Sequence, residues 1–343
     1  MDSPVVYFYG DVSSLRRGAA GFFDIIQKDY GAGRVGLKVH FGEGRNDTYV
    51  RPEWLMDVKS FFPEAAFVEC NVLYRGHRTV RESHVAMARS HGFDFLPVDI
   101  LDGESGELQA EVPVNVGRTM KAKLGGNLLN YKRLVAISHF KGHMATGFGG
   151  ALKNIGMGLG SRAGKMDMHS IVSPIVRGDR CVACGTCVRD CPVGAVSLGT
   201  VASIDSGKCI GCAHCISVCP SSAIDINWNM SHEVNRVLME KIAEYALAAI
   251  KGRRWWFINF ITGVTYDCDC FDLKQEPFMG DLGILLSRDP VAVDQASLDL
   301  VKEKNKGIDP FFKKHGVDGT HILEYGEKIG LGAREYELKK VCG

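Results

Sequence analysis

Cys181-Val-Ala-Cys184-Gly-Thr-Cys187-Val-Arg-Asp-Cys191-Pro192 decides how the rest of the chain is read, because it recurs as Cys209-Ile-Gly-Cys212-Ala-His-Cys215-Ile-Ser-Val-Cys219-Pro220. Both stretches have the form C-x-x-C-x-x-C-x-x-x-C-P. Cysteine pairs two residues apart also serve structural zinc. A duplicated set of four, each closed by proline, fits two 4Fe-4S clusters better. Three close thiolates wrap three irons of one cube, and the fourth, carried past the turn, reaches the other. On this spacing Cys181, Cys184, Cys187 and Cys219 form one ligand set, and Cys209, Cys212, Cys215 and Cys191 form the second. Small residues at Gly185, Gly211 and Ala213 let backbone amides approach the sulfurs, which helps set a reduction potential.

The matching continuations, Val-Gly-Ala-Val-Ser and Ser-Ser-Ala-Ile-Asp, predict two βα units packed by a pseudo-twofold. The segment is similar to bacterial two-cluster ferredoxins. It interrupts an α/β pattern. Before it, the sequence predicts strands at Val5-Tyr9, Val35-Phe41, Ala66-Cys70, Phe95-Ile100 and Arg133-Ser138. Between them it predicts helices over Ser14 to Lys28, after Pro52, and over Arg81 to His91. After it, Ser231 offers an N-cap to a helix carrying Val234, Val237, Leu238, Ile242, Tyr245 and Ala249 at helical spacing. Strands at Trp256-Ile261 and Leu282-Leu285 and a helix from Val291 follow. The expected fold class is α/β, a largely parallel-sheet host over 1–173 and 230–343 with an inserted α+β ferredoxin-like domain over 174–229.

Composition agrees with that organisation. A chain of 343 residues, 45% of them hydrophobic, can bury a substantial core. The formal net charge of +1 supplies no global field towards nucleic acid or an anionic bilayer, so no nucleic-acid partner is expected. The richest apolar stretch, Trp255 to Val264, is broken by Asn259, Thr262 and Gly263, so no transmembrane segment is expected. The N-terminus has no basic segment before its short apolar run, which predicts a cytoplasmic protein. Most of the twelve cysteines fall in one tract, which argues for metal in reducing surroundings over a disulfide scaffold.

Outside the cysteine repeat the densest polar tract runs from Ser138-His-Phe-Lys-Gly-His-Met-Ala-Thr-Gly-Phe-Gly-Gly-Ala-Leu-Lys-Asn154 on to His169. His139 and His143 can ligate a metal or exchange protons, Lys141 and Lys153 can hold an anion, and Gly147, Gly149 and Gly150 permit close backbone approach. Asn154 lies among them. Lys38 and His40 alternate with Leu37 and Val39 near a strand end and can face the same pocket. In Asp267-Cys268-Asp269-Cys270 the two thiols are candidates for an additional metal site, completed by a histidine such as His139 or His143, or for a redox-active pair. Cys70 and Cys342 could instead supply ligands for a third cluster, though their spacing does not require it. Gly31-Ala-Gly33-Arg-Val-Gly36 matches a dinucleotide fingerprint in letters only, because it precedes a strand.

Together with Lys38-Val-His40-Phe-Gly-Glu43, Tyr74-Arg-Gly-His77 and Asp289-Pro-Val-Ala-Val-Asp294, the polar tract resembles the iron-sulfur-centre proteins of the domain-of-unknown-function 362 family over nearly the whole chain. The resemblance implies an α/β host with a ferredoxin insertion and supplies no substrate. The expected function is an iron-sulfur oxidoreductase or electron-transfer protein. Two 4Fe-4S clusters would relay electrons between a redox partner protein or soluble carrier and a host site for a small-molecule substrate, a flavin or a further metal. The alternative is an electron carrier or redox sensor whose host docks a partner.

Overall fold

A computed structural model describes residues 3–169, 173–226 and 231–341. Strand β1 (Val5–Tyr9) leads into helix α1 (Leu15–Tyr30), which buries Leu15, Ala19, Phe22, Phe23, Ile26 and Tyr30 at helical spacing. Gly31 ends the helix with φ 66° and donates its N–H to Gln27 O at 2.8 Å. The three spaced glycines therefore close a helix and open strand β2 (Gly36–Val39), the reverse of a dinucleotide-binding turn. After Pro52 the expected helix shortens to a 3-10 turn (Pro52–Trp54) and α2 (Val58–Phe61). Pro63 explains the stop, since it disfavours helical backbone at Phe62.

Strand β3 (Ala66–Glu69), helix α3 (Arg81–Ser90) and strand β4 (Val98–Ile100) follow as expected. The hairpin β5 (Gln109–Val116) and β6 (Thr119–Gly125) has no counterpart in the sequence reading. After β7 (Arg133–His139) the glycine-rich tract folds as a small hairpin, β8 (Lys141–His143) and β9 (Gly147–Gly149), then helices α4 (Ala151–Leu159) and α5 (Arg162–Met168). Residues 173–226 hold β10 (Ile175–Val176), α6 (Thr186–Arg189), β11 (Val196–Leu198), β12 (Ala202–Ile204), α7 (His214–Val218) and β13 (Ile224–Asp225). The expected end of this segment, at 227–229, lies outside the described residues. The chain then forms α8 (His232–Ile250), β14 (Arg254–Ile261), β15 (Gly283–Ser287), α9 (Pro290–Lys304), α10 (Pro310–His315), α11 (Thr320–Lys328) and β16 (Glu337–Lys340). Ser231 caps α8 by accepting from Val234 N–H.

One eight-stranded sheet, in the order β16-β1-β15-β14-β7-β2-β3-β4, carries both halves of the chain. It is mostly parallel, with β15 antiparallel to both neighbours, and the small sheets β5-β6, β8-β9, β10-β13 and β11-β12 are antiparallel. Each face is covered, as parallel sheets require. On β7, Leu134 and Ala136 join the core against α4, α8 and α9, while Val135 and Ile137 join the core against α1. From β2 the chain steps outward through β3 to β4; from β7 it steps the other way to β14. The switch in direction opens a crevice beyond the carboxyl ends of β2 and β7.

Helix α4 starts at this crevice and is fixed from behind. Asp294, fully buried on α9, accepts from Ala151 N–H at 2.7 Å, Leu152 N–H at 2.9 Å and Asn259 Nδ2 at 2.7 Å. Burial raises its carboxyl to about 6 against these hydrogen bonds. A Cβ on Gly150 would lie 2.2 Å from Asp294 Oδ1, so only glycine admits this cap.

Candidate functional site

The carboxyl ends of three parallel strands deliver polar groups to one place. His139 ends β7 and Lys141 and His143 follow on β8; beyond β2 stands His40; beyond β14 the chain turns through Cys268-Asp269-Cys270. Asp269 ties them together. Its carboxylate accepts from His139 Nδ1 at 2.9 Å and Thr48 Oγ1 at 3.0 Å and pairs with Lys141 Nζ at 3.1 Å. Burial would raise this carboxyl, but His139 and Lys141 outweigh it and hold Asp269 well below the usual carboxylate range. Lys141 answers in kind: burial opposes its charge, and Asp269 and Cys268 leave its pKa raised.

His139 is held on both sides, by Asp269 at Nδ1 and by Thr262 O at 2.8 Å from Nε2, so its ring is fixed within the protein. The histidine that meets the cysteines is His143: ligand atoms of His143, Cys268 and Cys270 all lie within 4.8 Å of one another. Lys153 Nζ stands 4.0 Å from Cys268 Sγ. The Cys270 thiol donates to Cys268, which, with Lys153 and Lys141 and against burial, pulls Cys268 down to about 5; the same hydrogen bond and burial push Cys270 up, against Lys153 and Arg78. Burial, then Lys153 and Lys141, keeps His143 well below the usual imidazole range. Burial, Arg78 and Lys141 do the same to His40.

The residues expected to cradle a cofactor are mostly turned to the protein itself. Lys38 is fully buried, ion-paired with Glu69 at 3.0 Å and donating to Asn154 Oδ1 at 2.7 Å. Asn154 Nδ2 donates to Ile137 O at 3.1 Å and Ser138 Oγ at 3.0 Å, which locks α4 to the ends of β2 and β7. Gly147, at φ 72°, packs on Gly319, where a Cβ would come within 2.7 Å of Gly319 Cα. Gly150 makes room for Asp294. Gly149 is the exception, since a Cβ there would look towards Lys153 and Lys141. Glu43 and Tyr74, which lie in motifs of the sequence, meet Arg78, which does not. They form a buried group in which Arg78 Nε donates to Glu43 at 3.0 Å and Arg78 NH2 to the Tyr74 hydroxyl at 2.5 Å. Their separation along the chain gives no sign of this proximity.

The cysteine repeat is a repeat in backbone conformation as well as in letters. Positive φ occurs at Ala183 and Gly211, at Gly185 and Ala213, and at Gly194 and Ser222, equivalent positions in the two copies. Half of these are alanine or serine, for which such backbone is costly. Residues in this conformation beside ordinary helical ones turn successive N–H groups into a concave nest suited to an anionic group. Ala195 N–H donates to Cys191 Sγ at 3.3 Å, and its equivalent Ala223 N–H donates to Cys219 Sγ at 3.2 Å. Thiols of the two copies lie within electrostatic reach of one another. Burial raises Cys187, and Cys219, Cys184 and Cys181 add to it; burial raises Cys215 to about 12, with Cys212, Cys209, Cys187 and Cys191 adding.

One loop joins the two regions. Leu73 packs in the apolar cluster of Cys187, Ala213, Ile216 and Cys219, and the Arg75 guanidinium donates to the Cys219 carbonyl. Tyr74, between them, is turned the other way, to Glu43 and Arg78, within electrostatic reach of Cys270 and Cys268. Helix α5 makes a second join through Met166, which packs in the same cluster beside Gly211. Cys70 is buried elsewhere, 3.5 Å from Leu159 O, and Cys342 lies outside the described residues. A cavity of about 300 Å³ along Val85, Arg89 and Phe93 to Val98 includes none of these groups.

Fold and site together define a mixed α/β protein with a large, mostly parallel sheet and a cysteine-rich segment set against its polar edge. The chain belongs to the family described as Domain of unknown function (DUF362), whose match covers residues 35–299. No curated protein matches its sequence. Among solved structures it is similar to the lactate racemase apoprotein from Thermoanaerobacterium thermosaccharolyticum, at 10% identity over 88% of this chain and 57% of that one, with a TM-score of 0.43. It is also similar to a structural-genomics protein from Thermotoga maritima, at 12% identity over 85% of this chain and 59% of that one, with a TM-score of 0.41. The chain spans less than two thirds of either structure, and likenesses at this level carry no argument about its chemistry. Among the described residues no helix is long and apolar enough to cross a membrane.

Proposed function

We propose that this protein is an iron-sulfur electron-transfer protein, with a ferredoxin-like module at about 174–229 feeding a redox site in the α/β host. The observation that carries the reading is the duplicated four-cysteine loop, matched between copies in spacing, in left-handed backbone positions and in N–H contacts to sulfur. Cys181, Cys184, Cys187 and Cys219 would hold one 4Fe-4S cluster, and Cys209, Cys212, Cys215 and Cys191 the other. The residues present fit the group: the nests supply donors to a negatively charged cluster, and across the two copies Cys219 lies within electrostatic reach of Cys187 and Cys191 of Cys215. When bound, the clusters would supply one-electron transfer.

The chain's own residues give that transfer a direction. Cys184 is exposed, and Val182 and Ile210, at equivalent places in the two loops, are 67% and 54% exposed. An apolar rim beside a thiolate loop suits docking of a redox partner protein or soluble carrier. Leu73 and Met166 pack on the module, and Tyr74, next to Leu73 in the chain, lies within electrostatic reach of Cys268 and Cys270. This connection favours an oxidoreductase, using electrons on a small molecule at the host edge, over a carrier whose host only docks. Anaerobic redox titration followed by electron paramagnetic resonance tests the reading. Two reversible one-electron steps per chain are expected, and a protein with no reversible step between mild oxidant and dithionite would refute it.

A further inference from the structure

We infer that His143, Cys268 and Cys270 form a binding site for a single thiophilic divalent cation of the zinc type, separate from the eight cysteines of the repeat. Three observations carry it. The three ligand atoms converge within 4.8 Å although they come from two chain segments, the β8 strand and the turn after β14. The turn that presents the thiols is held rigidly: Asp269, between them, is fully buried and fastened by His139, Lys141 and Thr48. Cys268 is itself buried, Cys270 is half-buried, and Cys270 N–H donates to the Cys268 sulfur at 3.4 Å, which fixes the two on one turn.

The donor set selects the ion. Two thiolates and one imidazole suit zinc and its borderline-soft neighbours, whereas calcium and magnesium take oxygen ligands. Three protein ligands also leave the fourth tetrahedral position open, the arrangement that distinguishes a reactive zinc site from a closed structural one. Two thiolates would neutralise the ion, and Lys153, 4.0 Å from Cys268 Sγ, adds a positive charge beside one of the ligands. The ligand completing the sphere is therefore an anionic oxygen, a carboxylate, phosphate or hydroxide. Loading exchanges protons of the ligands for the ion, and the contact from Ala145 N–H to His143 Nδ1, at 3.2 Å, is long enough to yield. His139 takes no part, because both of its nitrogens are committed.

The site does not depend on the clusters, and its test separates the two. Full-length protein is purified anaerobically, incubated with one equivalent of zinc sulfate and desalted, and its metals are counted alongside acid-labile sulfide. One zinc per chain in addition to iron is expected, with X-ray absorption at the zinc edge showing two sulfur ligands and at least one nitrogen. Cys270→Ser and His143→Gln should each lose that zinc while iron and sulfide stay unchanged, which also shows that the variants fold. Cys184→Ser should lose iron and keep the zinc. Three results would overturn the site: no zinc bound by the wild type, zinc retained by Cys268→Ser/Cys270→Ser, or a Cys268–Cys270 disulfide in place of metal in the anaerobic protein.

Discussion

The cysteine segment and the host edge are both built to gather sulfur, yet they do so by opposite routes. In the segment, eight thiols lie within forty residues, and local loop geometry presents them, copy by copy, through the same left-handed positions. At the host edge, His40, His143, Asp269 and the Cys268/Cys270 pair come from three strand ends scattered over most of the chain, and only the order of the parallel sheet brings them together. A site made by spacing can be read from a sequence; a site made by topology has to be seen. The same difference predicts how each region fails.

The largest effect falls on the crossing of the thiols. Cys219→Ser should weaken the same cluster as Cys187→Ser, although these residues belong to different copies, and Cys191→Ser should weaken the other. Each variant is expected to lose about half of the iron, with paramagnetic resonance showing which cluster remains. If Cys219→Ser instead matched Cys209→Ser, the copies would each hold their own cluster.

Next comes the anchor of the host edge. Asp269→Ala leaves His139 and Lys141 buried without their counter-charge and should cost about 3–5 kcal/mol, measured by denaturant unfolding followed through Trp255 and Trp256. Iron content at low denaturant should be unchanged, since Asp269 touches nothing in the segment.

Smaller still is the cap on α4. Asp294→Ala removes the acceptor for Ala151 N–H, Leu152 N–H and Asn259, at a cost of about 1–3 kcal/mol. Because the folded carboxyl sits near 6, above its unfolded value, its stabilising contribution is present at low pH and declines as pH rises through 6. The deficit of Asp294→Ala relative to wild type should therefore be larger at pH 5 than at pH 7; an equal deficit would mean that the carboxyl titrates normally. The smallest effect belongs to the exposed rim. Val182→Ser should change stability by less than about 0.5 kcal/mol while slowing reduction of the protein by a flavodoxin or ferredoxin donor in stopped flow.

Much of the fold was legible in the sequence because its strands are short apolar runs with clear stops. Val5–Tyr9 and the Ser231-capped helix fall where the pattern places them. The hairpin Gln109–Gly125 was not: Ala110, Val112, Val114 and Val116 alternate with polar residues along β5, but Pro113 interrupts the run and its apolar face is only half-buried. In the site, the sequence displays the residue types of the polar tract but not their partners. Lys38, His139 and Asn154 carry the chemistry of a binding site, but their polar groups are spent on fixing strand ends and on Asp269. Gly147 and Gly150 likewise serve close packing on Gly319 and Asp294. Sequence shows which groups are available; only their neighbours show which remain free.

The central claim is that the repeat holds two 4Fe-4S clusters, and chemical analysis of strictly anaerobic full-length protein tests it most directly. Iron and acid-labile sulfide should each approach about eight per chain, with the reduced protein showing the low-temperature resonance of two interacting clusters. Zinc in the repeat at stoichiometric level, without sulfide, would contradict it.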